Sequence, residues 1–287
     1  MTGCAGLLGQ SLLPALEKRY KIVGIGHKAG GAHSALVVDV SQRAETMRSI
    51  IGIAPQVVVH AAAQTDVDYC ELHKDLARKV NVDGTRNVAD ACERIRANLV
   101  FISTDYVFDG AKGNYVESDR ASPINFYGLT KLEGERIAAA SSNSLVIRSS
   151  VLYGWHPSKL NFVTWILQGL RKQENLRVAC DQFNSPTFAM NLALVICKAI
   201  DSNINGILHV GGSERISRFE FAQKIAKKFD LDRSFLIPIK MEKLNWIAKR
   251  PRDSSLDSGK AEKDFGLELY GVDRGLEEMV KTKPRKV

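Results

Sequence analysis

Short apolar runs alternate with longer amphipathic stretches through the first half of the chain. Ile22–Ile25, Ala35–Val38, Val57–Ala62, Leu99–Ser103 and Ser144–Ile147 have the length and apolar density of buried strands. Between them, helical periodicity predicts helices near Leu7–Tyr20, Gln42–Ile51, Ala77–Ile95 and Asn125–Ala140. Strands that alternate with helices build βαβ crossovers, so the pattern predicts an α/β fold with a doubly wound, mostly parallel sheet of the Rossmann type. After about position 150 aromatic residues cluster and Pro and Gly interrupt the pattern more often. The expected division is a dinucleotide-binding domain over 1–152 and a smaller mixed α/β substrate domain over 153–287, with 179–200 returning to the Rossmann side.

The start of the chain breaks the pattern. It opens on Thr2-Gly-Cys-Ala-Gly-Leu-Leu-Gly9 with no strand before the glycines. A glycine-rich turn needs a preceding strand to aim the following helix at a ligand. The expectation is therefore that the first strand of the sheet is missing, which would leave two neighbouring strands without a partner. Pro14, inside the first predicted helix, costs about 3 kcal/mol in a helix interior.

Composition narrows the class. An apolar fraction of 45% and a charged fraction of 25% over 287 residues are ordinary globular values. No run approaches the length of a membrane span and no secretory leader is visible. Five scattered cysteines without Cys-x-x-Cys spacing argue against a disulfide scaffold or zinc ribbon, and the histidines show no ligand spacing. No metal is expected, and a reducing cytoplasm is the expected location. The net charge of +8 suits a pocket for polyphosphate ligands; the one dense basic run, 281–286, reads as a solvated tail, so neither nucleic acid nor membrane is an expected partner.

Gly3, Gly6 and Gly9 give the tight turn, close backbone approach and close helix packing that put a pyrophosphate on a helix N-terminus. Alone the spacing is equally a plain turn, but other segments fall where a dinucleotide needs them. Asp39 and Val40 end one strand, suited to an adenine. Ala61, Ala62, Ala63, Gln64 and Thr65 follow another, where small residues admit a ribose and a nicotinamide. His27 and Lys28 stand at the second strand's end, where an acid would bond a ribose 2′-hydroxyl. With no acid and a lysine present, NADP(H) is favoured, with NAD the alternative.

Tyr127 and Lys131 lie at i and i+4 on one helical face. An ammonium beside a phenol lowers the phenol's pKa from about 10, so such a tyrosine can deliver a proton to a carbonyl oxygen. Thr104, at the carboxyl end of a strand, can bond the same oxygen. Three acids, Asp66, Asp68 and Glu71, read as complements to a helix N-terminus rather than as a metal site. Asn81 reads as a bridge to backbone near the site, and the three tryptophans as core.

The ordered stretches Ala61–Asp68, Val80–Asn87, Ile102–Gly110, Tyr127–Glu135, Asp181–Thr187 and Arg250–Asp257 resemble those of the extended short-chain dehydrogenase/reductases. Among these the chain looks most like the dTDP-4-dehydrorhamnose reductase family. The resemblance implies an NAD(P)H-dependent oxidoreductase acting on a nucleotide-linked 4-keto-6-deoxy sugar in dTDP-rhamnose biosynthesis. It makes Tyr127 the proton donor, Lys131 its partner and ribose anchor, and Thr104 the hydroxyl that tunes the donor. Gly6, Leu7 and Leu8 would meet the pyrophosphate, and Thr104, Asp105, Asn161 and Gln182 the substrate. Where family reductases often carry a Trp after Arg-x-Ser, this chain has Val151, and Trp155 is the one candidate to replace that wall.

Two further readings stand beside the reductase. The regulatory β subunit of methionine adenosyltransferase shares the Asp-Tyr-Val-Phe-Asp and Tyr-Gly-x-Thr-Lys stretches and an aliphatic residue at the Val151 position, with the synthetase as its partner. A nucleotide-sugar dehydratase or epimerase is the third. The dehydratase needs an Asp-Glu pair after the threonine, whereas Thr104 is followed by Asp105-Tyr106. The Asp-Gln-x-x-Ser-Pro-Thr loop favours the reductase. A homodimer is compatible with each reading.

Overall fold

The structure, a computed structural model, describes residues 1–27, 35–141, 143–202 and 204–283. Its centre is a parallel sheet. Gly206–Val210 pairs with Ser144–Ser149, which pairs with Asn98–Thr104, which pairs with Val57–His60. Gly24–Gly26 pairs in parallel with Ala35–Val37. The expected gap between these two groups is narrower than the sequence suggests. Thr2 bridges both His60 and Ile25 in parallel, and its N–H donates to the Val59 carbonyl at 3.0 Å. The first residues of the chain thus stand in the central position, and the glycine turn follows directly at the carboxyl edge of the sheet.

Helices cover both faces, as a strand buried on each side requires. On one face Leu8, Leu12 and Leu16 of the Leu7–Leu16 helix pack with Leu192, Ile196 and Ala199 of the Ala189–Ser202 helix. On the other, Ile50 of Arg43–Ile53 and Val88 and Cys92 of Gly84–Ile95 pack on Val58, Leu99 and Val146. The first helix ends at Leu16 rather than Tyr20, and Pro14 sits on its exposed side. The single helix expected over 77–95 is a short α-helix, Lys74–Arg78, a π-turn, Lys79–Asp83, and then Gly84–Ile95. Such a π-turn rotates the side chains that follow it, and here it carries Asn81.

A second core gathers Tyr153, Ile166, Phe188, Phe221, Ile225, Leu276 and Met279. The chain crosses between the cores more than once after residue 153. Besides Ala189–Ser202, the strand Gly206–Val210 and the segment carrying Ala261, Phe265 and Leu269 belong to the first core. Trp155 does not replace the missing Trp of the cleft. Its indole N–H donates to the Met279 carbonyl at 2.7 Å and its ring meets Phe229 edge-on, within the second core.

Candidate active site

A cleft of about 650 Å³ runs along the carboxyl edge of the sheet between the two cores. That volume suits a small-molecule ligand, and the position is the one where open α/β sheets bind ligands. The glycine turn forms one end. Gly3 has φ +71°, and a β-carbon on it would lie 2.7 Å from the Ala61 carbonyl carbon and the Ala62 nitrogen, so only glycine lets the turn lie against this strand end. Gly6 caps the Leu7–Leu16 helix without a side-chain hydrogen bond, and no acid stands in the first turn. The Ala5–Leu8 backbone therefore faces the cleft as an unshielded helix N-terminus, the setting that takes a phosphate. Gly9 is off the cleft wall; a β-carbon there would collide with the Cys4 carbonyl oxygen at 2.2 Å, so this glycine brings the helix close to the turn.

Asp39, Val40, Ala61, Ala62, Ala63, Gln64 and Thr65 all line the same cleft. Asp39 accepts from the Ser41 N–H at 2.9 Å, and the Val40 carbonyl is held by Asn87 Nδ2 at 2.9 Å. The Gln64 backbone is clamped by one side chain: its N–H donates to Asn81 Oδ1 at 2.8 Å and its carbonyl accepts from Asn81 Nδ2 at 3.0 Å. Asn81 also donates to Thr130 Oγ1 at 3.0 Å, which ties the clamp to the Phe126–Ala139 helix. Lys28, the residue that tilts the cofactor reading towards NADP(H), lies outside the described residues.

The chemistry-bearing side chains converge where Asn98–Thr104 ends and the Phe126–Ala139 helix begins. Asn125 caps that helix, its Oδ1 accepting from the Gly128 N–H at 2.8 Å, while Glu71 accepts from the Phe126 N–H at 2.9 Å. A β-carbon on Gly128 would lie 2.1 Å from the Tyr106 carbonyl oxygen, so glycine is what lets the helix start against the loop after Thr104. Tyr127 and Thr104 line the same cleft, and the Thr104 hydroxyl lies close enough to act on the Tyr127 phenol. Desolvation foremost, with the Asp105 charge adding to it, holds the Tyr127 phenol above its ordinary pKa; the Thr104 hydroxyl opposes this.

The expected lowering of that phenol by Lys131 is not what the structure contains. Lys131 Nζ donates to the Ile102 carbonyl at 2.7 Å and sits 4.1 Å from the centre of the Phe101 ring. Its helical spacing from Tyr127 is as expected, but the long side chain turns under the helix towards the sheet. Burial lowers its own pKa to about 7, against the attraction of Glu135. Glu135, one turn further on, forms a buried pair with Arg148, with 2.9 and 2.8 Å contacts, and accepts from Ser103 Oγ at 2.5 Å. Arg148 reaches His209 Nε2 at 3.3 Å, while His209 Nδ1 meets the Tyr115 carbonyl at 2.9 Å, a contact that needs the proton on Nδ1. The network reaches beneath the site from the Lys131 helix to the outermost strand of the sheet.

Asp105 is buried in the cleft wall and accepts from three hydroxyls, Thr104 at 3.1 Å, Ser150 at 2.9 Å and Ser254 at 2.5 Å. Burial raises its pKa against those hydrogen bonds. Asn161 lines the cleft too, with its amide spent on the capping box of Phe162–Arg171 and on the Gly154 carbonyl at 2.7 Å. Gln182 is not on the wall. It lies buried behind Tyr106, with 3.4 Å contacts to the Tyr106 hydroxyl and the Pro251 carbonyl. Lys159, Leu160 and Arg218 line the cleft without having stood out in the sequence.

Of the three acids near the helix start, Asp66 accepts from the Tyr69 N–H at 3.0 Å, Glu71 caps the Tyr127 helix, and Asp68 pairs with Arg250 at 3.0 Å. Among the described residues no group of three or more His, Cys, Asp or Glu side chains is placed to hold a metal ion, and no helix is long and apolar enough to cross a membrane.

Sheet order, glycine turn and the Thr104–Tyr127 pair together define a dinucleotide-binding α/β protein of the short-chain dehydrogenase/reductase class. Within that class the chain belongs to the RmlD substrate binding domain family, whose profile matches residues 1–284. It is 31% identical to a dTDP-4-dehydrorhamnose reductase of Aggregatibacter actinomycetemcomitans, over 96% of each chain. It is 33% identical to the methionine adenosyltransferase 2 subunit beta of Bos taurus, over 91% of this chain and 80% of that one. Among solved structures, a dTDP-4-dehydrorhamnose reductase from Bacillus anthracis in complex with NADP superposes with a TM-score of 0.90 at 32% identity, over 98% of both chains.

Proposed function

We propose that this protein is an NADPH-dependent reductase of a nucleotide-linked 4-keto-6-deoxy sugar, of the dTDP-4-dehydrorhamnose reductase type, with NAD as the alternative cofactor. The observation that carries the proposal is that Thr104 and Tyr127 open together into the same cleft as the glycine turn. The residues present fit a dinucleotide. Gly3 lets the turn lie against the Ala61–Ala62 strand end, and the Gly6-capped helix end offers backbone N–H groups to a pyrophosphate. Asp39 and Val40 would meet the adenine, and Ala61–Thr65 the ribose and nicotinamide side. When bound, NADPH supplies a hydride to the substrate's carbonyl carbon.

The chain's own part is to hold that carbonyl and give its oxygen a proton. Tyr127, kept protonated by its surroundings, is the donor to the developing alkoxide, a far stronger base than the phenolate it leaves. Thr104, whose one hydroxyl hydrogen goes to Asp105 at 3.1 Å, offers a neutral hydrogen bond to the same oxygen when that hydrogen turns into the cleft. Lys131 keeps two N–H donors beyond the one given to Ile102, and these serve a cofactor ribose. Asp105 orders the hydroxyls of Thr104, Ser150 and Ser254 around the sugar. Residues 1–152 form the cofactor half of this reading and 153–287 most of the substrate half. A cytoplasmic location and a homodimer belong to the same reading, and light scattering of the purified chain checks the second.

The test is NADPH oxidation with a dTDP-4-keto-6-deoxyhexose. Turnover that Tyr127→Phe abolishes supports the reading, and a wild-type protein that binds both ligands without turnover refutes it. A dTDP-hexose with NAD(P)⁺ should release no 4-keto-6-deoxy product; its appearance would restore the dehydratase. One observation favours a second reading, a regulatory NADP-binding subunit of a methionine adenosyltransferase. Val151 and Leu152 line the cleft where family reductases often present a Trp, and Trp155 is turned into the second core. Co-purification with the synthetase together with absent turnover would establish that alternative.

A further inference from the structure

Arg218 is the first residue of the Arg218–Lys228 helix, behind a Ser217/Glu220 capping box. A cation gains nothing from that position, since the helix dipole already places positive charge there. The guanidinium lies 4.8 Å from the centre of the Phe162 ring and lines the cleft. Its Nε is buried and has no hydrogen-bond partner, and it makes no ion pair, among the described residues. Burial foremost pulls its pKa down, against Tyr106 and Asp105, which favour the charge. Asp105 does not neutralise it at contact, because the carboxylate is already taken by the hydroxyls of Thr104, Ser150 and Ser254. A half-buried cation with a buried, unpartnered Nε, set against the dipole and facing a ligand cleft, is an arrangement that an incoming anion completes.

The anion is a substrate group rather than a cofactor group by position. Arg218 belongs to the side of the cleft built by Phe162 and the second core and stands next to Asp105 and Tyr106, whereas the pyrophosphate cradle is the Gly3–Leu8 turn on the first core. We infer that Arg218 is a specificity-determining residue that takes an oxygen of the sugar-linked phosphate of a nucleoside-diphosphate sugar. The planar fork matches a phosphate edge, which a lysine at the same place would meet only as a point charge. This rests on the reductase reading above, and it assigns the residue that separates diphosphate from monophosphate ligands.

The experiment is calorimetric binding of dTDP, dTMP and NADPH to the wild-type chain, Arg218→Gln and Arg218→Lys, with thermal melting of each. The wild type should bind dTDP more tightly than dTMP. Arg218→Gln should weaken dTDP by about tenfold or more, the scale of one charge-assisted hydrogen bond. The dTDP/dTMP ratio should collapse towards one while NADPH affinity stays within about twofold. Arg218→Lys should lose part of the ratio, and it decides the matter if the glutamine variant fails to fold. A variant that keeps the wild-type ratio, or that loses NADPH to the same extent as dTDP, overturns the assignment and leaves the reductase reading standing. A wild type that reduces no 4-keto sugar and binds no nucleoside diphosphate overturns both.

Discussion

Gly128 is where a single methyl group should separate catalytic geometry from global stability. A β-carbon there would lie 2.1 Å from the Tyr106 carbonyl oxygen and 3.0 Å from Pro123 Cβ, whereas ordinary contact begins at 3.4 Å. Gly128→Ala must therefore push the first turn of the Phe126–Ala139 helix away from the loop after Thr104 by roughly 1 Å, the size of misplacement that costs about 100-fold in rate. Tyr127 is the neighbouring residue on that turn and Thr104 is anchored in the sheet, so the displacement falls on the proton-donating pair. Overpacking of this kind costs about 1–3 kcal/mol, and alanine's better helix propensity returns up to about 1 kcal/mol. The net loss is about 0–3 kcal/mol, a fall in Tm of no more than about 12 °C for a chain of this size. Steady-state kinetics should give kcat down by about 100-fold with NADPH affinity nearly unchanged. Gly52→Ala is the control: it is exposed, helical, and has open space around its would-be β-carbon, so it should gain up to about 1 kcal/mol and leave kcat alone. A Gly128→Ala enzyme with kcat within about threefold of wild type would refute the claim that this contact aligns Tyr127 with Thr104.

Other outcomes follow from the same site. Tyr127→Phe should lower kcat by about 10²–10⁴-fold and spare NADPH binding, as followed by turnover and calorimetry; wild-type turnover would remove Tyr127 from its role. Lys131 should lose its proton near pH 7 when folded and near 10.5 when unfolded. The unfolded chain then binds more protons across that window, so stability should rise with pH between them. Lys131→Met should be the more stable protein at pH 7, with the gap in Tm closing towards pH 9.5, and a gap independent of pH would contradict the burial of a titrating lysine. Glu135→Gln removes one partner of a buried ion pair and should cost about 3–5 kcal/mol in denaturant unfolding. Lys28→Glu should weaken NADPH more than NADH, and equal effects would separate Lys28 from the 2′-phosphate.

The central strands Val57–His60, Asn98–Thr104 and Ser144–Ser149 could be read from the sequence because they are buried on both faces and so appear as uninterrupted apolar runs, whereas Ala35–Val37 has the same apolar run with Leu36 and Val37 exposed. The glycine turn was legible for a similar reason: Gly3 meets backbone on the neighbouring strand, and no other residue fits. Long polar side chains were harder. Spacing put Lys131 beside Tyr127, but its direction depends on the Ile102 carbonyl and the Phe101 ring, which reach it only through the sheet. Glu135 continues the same helical face at i+8 from Tyr127, and extending the period by one turn would have marked it. Gln182 was placed on the wall from its motif, yet Tyr106 stands in front of it. Arg218 gave no local signal, since its meaning comes from Phe162, Tyr106 and Asp105, all distant in sequence.

Distant contacts also tie the two halves of the site together across the expected boundary near residue 152. Asp68 pairs with Arg250 at 3.0 Å, and Asn125, the cap of the Tyr127 helix, donates through Nδ2 to the Lys249 carbonyl at 3.0 Å. Ser254 closes the hydroxyl ring around Asp105, and His156 Nε2 meets the Ala5 carbonyl of the glycine turn at 2.9 Å. The His156 contact has a defined sense, because Nδ1 already accepts the N–H groups of Ser158 and Lys159 and the proton must therefore lie on Nε2. Each of these bonds joins the first 152 residues to a segment beyond them. The surroundings of the Thr104–Tyr127 pair are thus drawn from segments as far apart in the chain as Gly3 and Ser254.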